Sequence, residues 1–266
     1  GEFLHDTMEV LWKELRSQTV LRQAASTGSL ITTMTHAVQM SAEKNLLGLR
    51  PALRALEEKR AISIVSAWLA LELERLPFVV IDAEEKYTLS VAGLDLNVRL
   101  DRMDQLEDGR AVVIDYKGGK NLPKVLTDWQ KIRPVSLQLP AYASVLAQQG
   151  ALDRIAGLVL VHLHSKAKPP AGLLREEIGL KGPTLFEDAH YPDVDWTAAM
   201  QRLNTSIENL AVEFTSGLAP NRSWSKSDLE YCDVEALLRI FDDETHLFDE
   251  DSDAEESDSI GGFNGD

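Results

Sequence analysis

Met8, Leu11, Trp12 and Leu15 return at spacings of three and four, which is one face of an α-helix, and this pattern predicts a helix over 5–26. A second helical stretch covers 42–76, with Leu46, Leu49, Leu53 and Leu56 on one face and Trp68, Leu69 and Leu73 later; Pro77 breaks it. The period then changes. Residues 78–81, 87–91 and 94–104 alternate and are rich in Val, Ile, Leu and Tyr, which predicts strands. Asp108-Gly109 signals a hairpin turn, and 111–117 reads as a buried strand that ends in charge before Gly118-Gly119. Residues 120–134 read as a loop closed by Pro134. Ser136 is a candidate cap for a helix reaching about Gln149, bearing Leu139, Tyr142, Val145 and Leu146 and stopped by Gly150. A strand over 155–164, a turn over 166–170 and an amphipathic helix over 196–216 follow. Helices, three strands, helix, strand and helix in that order predict a mixed α/β domain.

The 266 residues suffice for one large domain or two small ones, and 44% hydrophobic residues is ordinary for a globular chain. No run of eighteen apolar residues exists, so no transmembrane helix is expected. The first residues lack the basic and apolar regions of a signal peptide. Gly1-Glu2-Phe3 resembles a cloning scar, and a domain cut from a longer protein is expected. A single cysteine, Cys232, rules out a disulfide framework, argues against a Cys-based zinc site and fits a cytoplasmic location. The net charge of −16 is unevenly spread: 241–266 holds eleven acidic residues and no Lys or Arg, and removing it leaves about −5. That acidic, apolar-poor tail is expected to be disordered and to act as a solubilising linker.

Asp115-Tyr116-Lys117 carries the strongest chemical signal. Residues i and i+2 of a strand point to one side, so Asp115 and Lys117 emerge together where an apolar strand ends. Asp101 lies on the preceding strand, and a hairpin at Asp108-Gly109 folds it back beside Asp115. Hard oxygen donors of this kind suit Mg²⁺. A divalent ion lowers the pKa of its water and clamps phosphate oxygens, and a lysine can orient that water or offset developing charge. An isolated Asp-x-Lys is usually a surface ion pair; the preceding Asp, the hairpin and the following helix favour the functional reading here.

The runs Gly93-Leu94-Asp95-Leu96-Asn97-Val98-Arg99-Leu100-Asp101-Arg102-Met103-Asp104 and Val113-Ile114-Asp115-Tyr116-Lys117-Gly118-Gly119 resemble the RecB/AddB-type branch of the PD-(D/E)xK nucleases. The resemblance implies a restriction-endonuclease-like core: a central mixed β-sheet flanked by helices, with an N-terminal helical region. It implies an Mg²⁺- or Mn²⁺-dependent deoxyribonuclease, exonuclease or endonuclease, acting on single-stranded DNA or duplex ends in repair or recombination beside a helicase-like region. Gln138 and Tyr142, four apart on one helix face, resemble the family's Gln-x-x-x-Tyr helix, which lines the active site. His5, followed by Met8-Glu9-Val10-Leu11-Trp12, resembles the family's metal-binding histidine. Glu84, with Glu85 as the alternative, resembles its upstream acid; a one-residue slip on a strand reverses the face, so one of the two serves. The resemblance therefore implies His5, Glu84, Asp101 and Asp115 as metal ligands. Gly118 departs from the usual Thr or Ser. In 224–240 relatives carry cluster-binding cysteines, but Leu229 and Leu238 stand at the matching positions beside Cys232, so no iron–sulfur cluster is expected. The implied division is 4–76 helical, 77–240 nuclease core and C-terminal helices, and 241–266 tail.

Lys120, Lys124, Lys131 and Arg133 cluster after Lys117, with Trp129 among them. These cations suit a phosphate backbone, and Trp129 suits stacking on an unpaired base; the alternative is a solvated loop around a buried Trp. Three readings stay open at this point: an active DNA nuclease, a catalytically silent DNA-binding or scaffold module on the same fold, or an enzyme acting on RNA or a small nucleotide.

Overall fold

The computed structural model describes residues 1–191 and 194–218, without the side chains of Asp82, Glu84 and Glu85. The expected C-terminal features, including Leu229, Cys232, Leu238 and the acidic tail, lie outside the described residues. A six-stranded mixed sheet in the order β1-β2-β3-β4-β5-β6 forms the centre. β1 (Phe78–Val91), β2 (Leu94–Leu106) and β3 (Ala111–Lys117) are an antiparallel meander. β4 (Ile155–His162) runs parallel to β3, β5 (Ala171–Leu174) is antiparallel to β4, and β6 (Thr184–Leu185) is parallel to β5. A parallel pair needs a crossover; here it is made by α5 (Val125–Asp128) and α6 (Gln138–Gln148). This is the mixed sheet flanked by helices that the sequence predicts.

Two apolar cores cover the two faces. On one, α1 (Glu2–Leu15), α2 (Gln18–Thr27), α3 (Leu30–Asn45) and α4 (Pro51–Glu72) pack Trp12, Met34, Val65 and Trp68 against Ile114, Tyr116 and Val159. On the other, α6 and α7 (Trp196–Thr215) pack Leu139, Tyr142, Met200 and Leu203 against Met103, Val113 and Leu158. β3 and β4 are apolar along almost their whole length because both faces are covered.

Several boundaries differ from expectation for local reasons. The predicted 5–26 helix breaks at Arg16, which adopts φ 58°. The chain there touches the sheet edge: Val80 donates its N–H to the Arg16 carbonyl, and Ser17 bridges Val79. Ser17 then caps α2, accepting from Val20 N at 3.2 Å. The 42–76 stretch is two helices, the second opened by Pro51 in its first turn. Leu49 lies in the turn before α4, and Leu53 and Leu56 within it are exposed; the buried residues of α4 are Ala61, Ile64, Val65, Trp68, Leu69 and Glu72. α3 went unforeseen because its buried stripe uses small residues such as Ala37, Ser41 and Ala42. β1 is a single long strand, with its register irregular between Val80 and Asp82. It turns into β2 at Ala92-Gly93, both with positive φ (48° and 78°), the geometry of a two-residue hairpin turn. Leu137, not Ser136, stands at the start of α6. β5 and β6 are too short to leave a period in the sequence.

Candidate active site

One step beyond the pair Arg102↔Ile114, the β2–β3 ladder brings Asp101 across from Asp115. Directly opposed residues share a sheet face, so the two acids stand on the face covered by α6. Asp101 Oδ2 also accepts the Tyr116 N–H at 2.8 Å, which ties it to the strand that carries the other two residues of the motif. Lys117, two positions after Asp115, places Nζ 2.8 Å from Asp115 Oδ2 and donates to Gln138 Oε1 at 2.5 Å. Gln138 Nε2 donates to the Tyr142 hydroxyl at 3.3 Å, one helical turn on. From the other side of the sheet end, α1 delivers His5 Nε2 to 3.5 Å from Asp101 Oδ2. Asp101, Asp115, Lys117, Gln138, Tyr142 and His5 are thus brought together from two strands and two helices.

Two carboxylates, Asp101 and Asp115, meet two cationic groups, His5 and Lys117, in the site. Asp115 is fully buried, and neither carboxylate oxygen accepts a well-aligned hydrogen bond among the described residues. Its pKa is pushed up to about 6, first by burial and then by the Asp101 charge, against the opposing pull of Lys117. Burial alone would lower the pKa of His5, but its hydrogen bond to Asp101, the Gly1 and Tyr116 carbonyls and the Asp101 charge together raise it to about 9. Both ring nitrogens face oxygens, Nδ1 toward Gly1 O at 3.0 Å and Nε2 toward Tyr116 O at 2.6 Å, which suits an imidazolium donating at both.

The donor set fits a hard divalent cation. Two carboxylates converge, and the buried one has the Lys117 ammonium beside Oδ2 but no well-aligned hydrogen bond among the described residues, which is the deficit such an ion relieves. No group of three or more His, Cys, Asp or Glu in metal-holding geometry occurs among the described residues, and the Glu84 side chain falls outside them. At the backbone, Ala83 pairs with Arg102 and Glu85 with Leu100, so Glu84 occupies the register position of Asp101. Two concavities adjoin the site. One of about 530 Å³ opens at His5 and Asp101, with Lys44, Asn45 and Arg99 in its wall. The other, about 370 Å³, is largely apolar and opens at Lys117 and Gln138 against Pro123, Val125 and Leu137.

The residues expected to contact DNA differ in their surroundings. Lys120 and Lys124 are exposed. Lys131 instead lies 3.4 Å from Asp128, and Arg133 pairs with Glu213 at 2.9 Å. Trp129 is a correction: it is 1% exposed, donates Nε1–H to Ser136 O at 3.0 Å and belongs to the core, so it offers no face for a base. The loop is organised by buried Asp128, which accepts from Val135 N and Ser136 N and draws the chain around the Trp.

Sequence reading also missed the buried ion network behind the site. Arg102 and Asp104 face away from Asp101. Arg102 bonds Glu72 (2.5 Å) and Asp104 (2.6 Å), and Arg75 bonds Glu72 (2.8 Å) and Asp104 (2.7 Å), all four side chains fully buried. The Arg102 guanidinium lies 3.7 Å over the Trp12 ring and reaches the Tyr116 hydroxyl at 3.2 Å. The spacing of Glu72 and Arg75 at the end of a helix was the available signal, but charged residues so placed are ordinarily solvated.

Comparison with known proteins agrees with this geometry. The family model described as the PD-(D/E)XK nuclease superfamily matches residues 1–237. No curated protein matches the chain.

Proposed function

Because this chain belongs to the PD-(D/E)XK nuclease superfamily, we propose that it is a metal-dependent deoxyribonuclease that hydrolyses phosphodiester bonds. The observation that carries the reading is the buried Asp115 carboxylate beside Asp101 and Lys117 on one sheet face, with Asp101 lining one concavity and Lys117 the other. Asp101 and Asp115 would hold Mg²⁺ or Mn²⁺, with Glu84 contributing from the opposed strand position and His5 after loss of its proton. Such an ion supplies an activated water and neutralises charge on the phosphate. Lys117 holds its ammonium between Asp115 and Gln138, where it can orient the attacking water or offset charge gathering on the phosphate. Gln138 keeps Lys117 aimed, and Tyr142 keeps Gln138 aimed. Exposed Lys120 and Lys124 suit the phosphates of the strand. We place the activity in DNA repair or recombination, in the RecB/AddB-type manner, in the cytoplasm and beside a helicase-like region.

The test is cleavage of 5′- and 3′-labelled single-stranded and duplex DNA in Mg²⁺, Mn²⁺ and EDTA. Cleavage should require metal and should fall by on the order of 10²–10³-fold in Lys117→Ala, with the thermal midpoint little changed. Cleavage in EDTA, or at the wild-type rate in that variant, overturns the mechanism. DNA binding without cleavage under either metal would make the chain a binding module.

A further inference from the structure

His162 ends β4, is buried, and stands in register with Lys117 of β3. Side chains alternate along a strand, and Leu158 and Leu160 of β4 pack in the core beneath α6. His162 therefore lies on the face that carries Asp115 and Lys117. Both of its ring nitrogens are engaged by backbone. The Lys168 N–H donates to Nδ1 at 3.0 Å, so Nδ1 is the acceptor. The ring proton then sits on Nε2, which donates to the Gly119 carbonyl at 2.6 Å. The His164 ring stacks on His162 with centroids 5.1 Å apart. Two neighbouring contacts run the same way: Leu163 N–H donates to Lys117 O at 2.9 Å, and the Lys168 ammonium reaches Asn121 Oδ1 at 3.5 Å.

We propose that His162 is a positioning residue: its neutral imidazole, protonated on Nε2, pins the segment after the catalytic lysine. Gly118 and Gly119 have no side chains with which to anchor themselves, so the anchor comes from the neighbouring strand. The pin fixes the direction in which Lys117 leaves β3 and the place of Lys120, which lies between the two fastened residues Gly119 and Asn121. The kinetic consequence rests on the nuclease reading above; the pin itself does not.

His162→Gln keeps one amide donor and one acceptor at similar reach, His162→Asn keeps them on a shorter arm, and His162→Leu removes both. With metal, kcat on DNA should fall by on the order of 10-fold in the Leu and Asn variants, with a smaller change in KM, and recover in the Gln variant. In EDTA, trypsin should cut after Lys120 several-fold faster in the Leu and Asn variants than in wild type or the Gln variant. Wild-type kcat and trypsin rates in both the Leu and Asn variants, or equal damage in Gln and Asn, would overturn the pin. Should the Leu variant not fold, the Gln–Asn pair decides. Should wild type cleave no DNA, the nuclease reading fails while the trypsin rates still judge the pin.

Discussion

Replacing Asp115 by Asn should stabilise the metal-free protein while abolishing cleavage. The carboxylate is fully buried, has no well-aligned hydrogen bond among the described residues and faces the Asp101 charge. Its pKa rises from 3.8 to about 6 in the folded protein. The native state therefore binds the proton more tightly than the unfolded chain does. Between pH about 4 and 6 the unfolded state holds fewer protons, and stability declines as pH rises through that window. Above it the whole difference applies, and at about 1.4 kcal/mol per pH unit it amounts to roughly 3 kcal/mol. Asparagine keeps the shape and never ionises. In EDTA at pH 8 the variant should be more stable than wild type by about 2–3 kcal/mol in urea unfolding. That gain corresponds to a thermal midpoint roughly 5–10 °C higher for a domain of this size. At pH 4 the two proteins should coincide. Mg²⁺ should raise the wild-type midpoint and leave the variant nearly unmoved, because a ligand stabilises only the state that binds it. A variant less stable than wild type in EDTA at pH 8, or a gap that does not change with pH, would refute the claim that this site is strained without a cation.

Arg102→Met should cost about 3–5 kcal/mol in denaturant unfolding, because Glu72 and Asp104 would share Arg75 alone in a fully buried setting; a cost under about 1 kcal/mol would show that the network relaxes. Trp129→Phe should lose about 1 kcal/mol of stability with the bond to Ser136 O, and leave affinity for single-stranded DNA unchanged; a fall in affinity would restore the stacking role that burial denies it. Lys120→Ala and Lys124→Ala should each reduce the slope of log affinity against log salt by about 0.7–0.9, the signature of one lost phosphate contact. An unchanged slope removes that lysine from the DNA path.

The candidate site residues were readable in the sequence because they obey short-range rules. Asp115 and Lys117 are two apart on a strand, Asp101 is set by one hairpin, and Gln138 and Tyr142 are four apart on a helix. Each relation survives without knowledge of the tertiary packing. What escaped depends on partners distant in sequence. Arg16 leaves the helical region because the Val80 N–H, more than sixty residues later, takes its carbonyl. Trp129 looks like an exposed ring among cations until Asp128 is seen gathering Val135 and Ser136 around it.

The Asp101-Arg102-Met103-Asp104 run shows the same division within four residues. Strand alternation sends Asp101 to the face that carries Asp115 and Lys117, and Arg102 and Asp104 to the opposite one, where they meet Glu72 and Arg75. The first acid meets the Tyr116 N–H and His5; the second meets guanidinium groups. Tyr116 joins the two faces: its N–H holds Asp101, and its hydroxyl meets Arg102. A rigid ion network on one side of the sheet thus sets the backbone from which the acids on the other side project. Loosening it should misplace Asp101 before it unfolds the domain, so substitutions at Arg102 mild enough to leave the protein folded at assay temperature should still lower kcat.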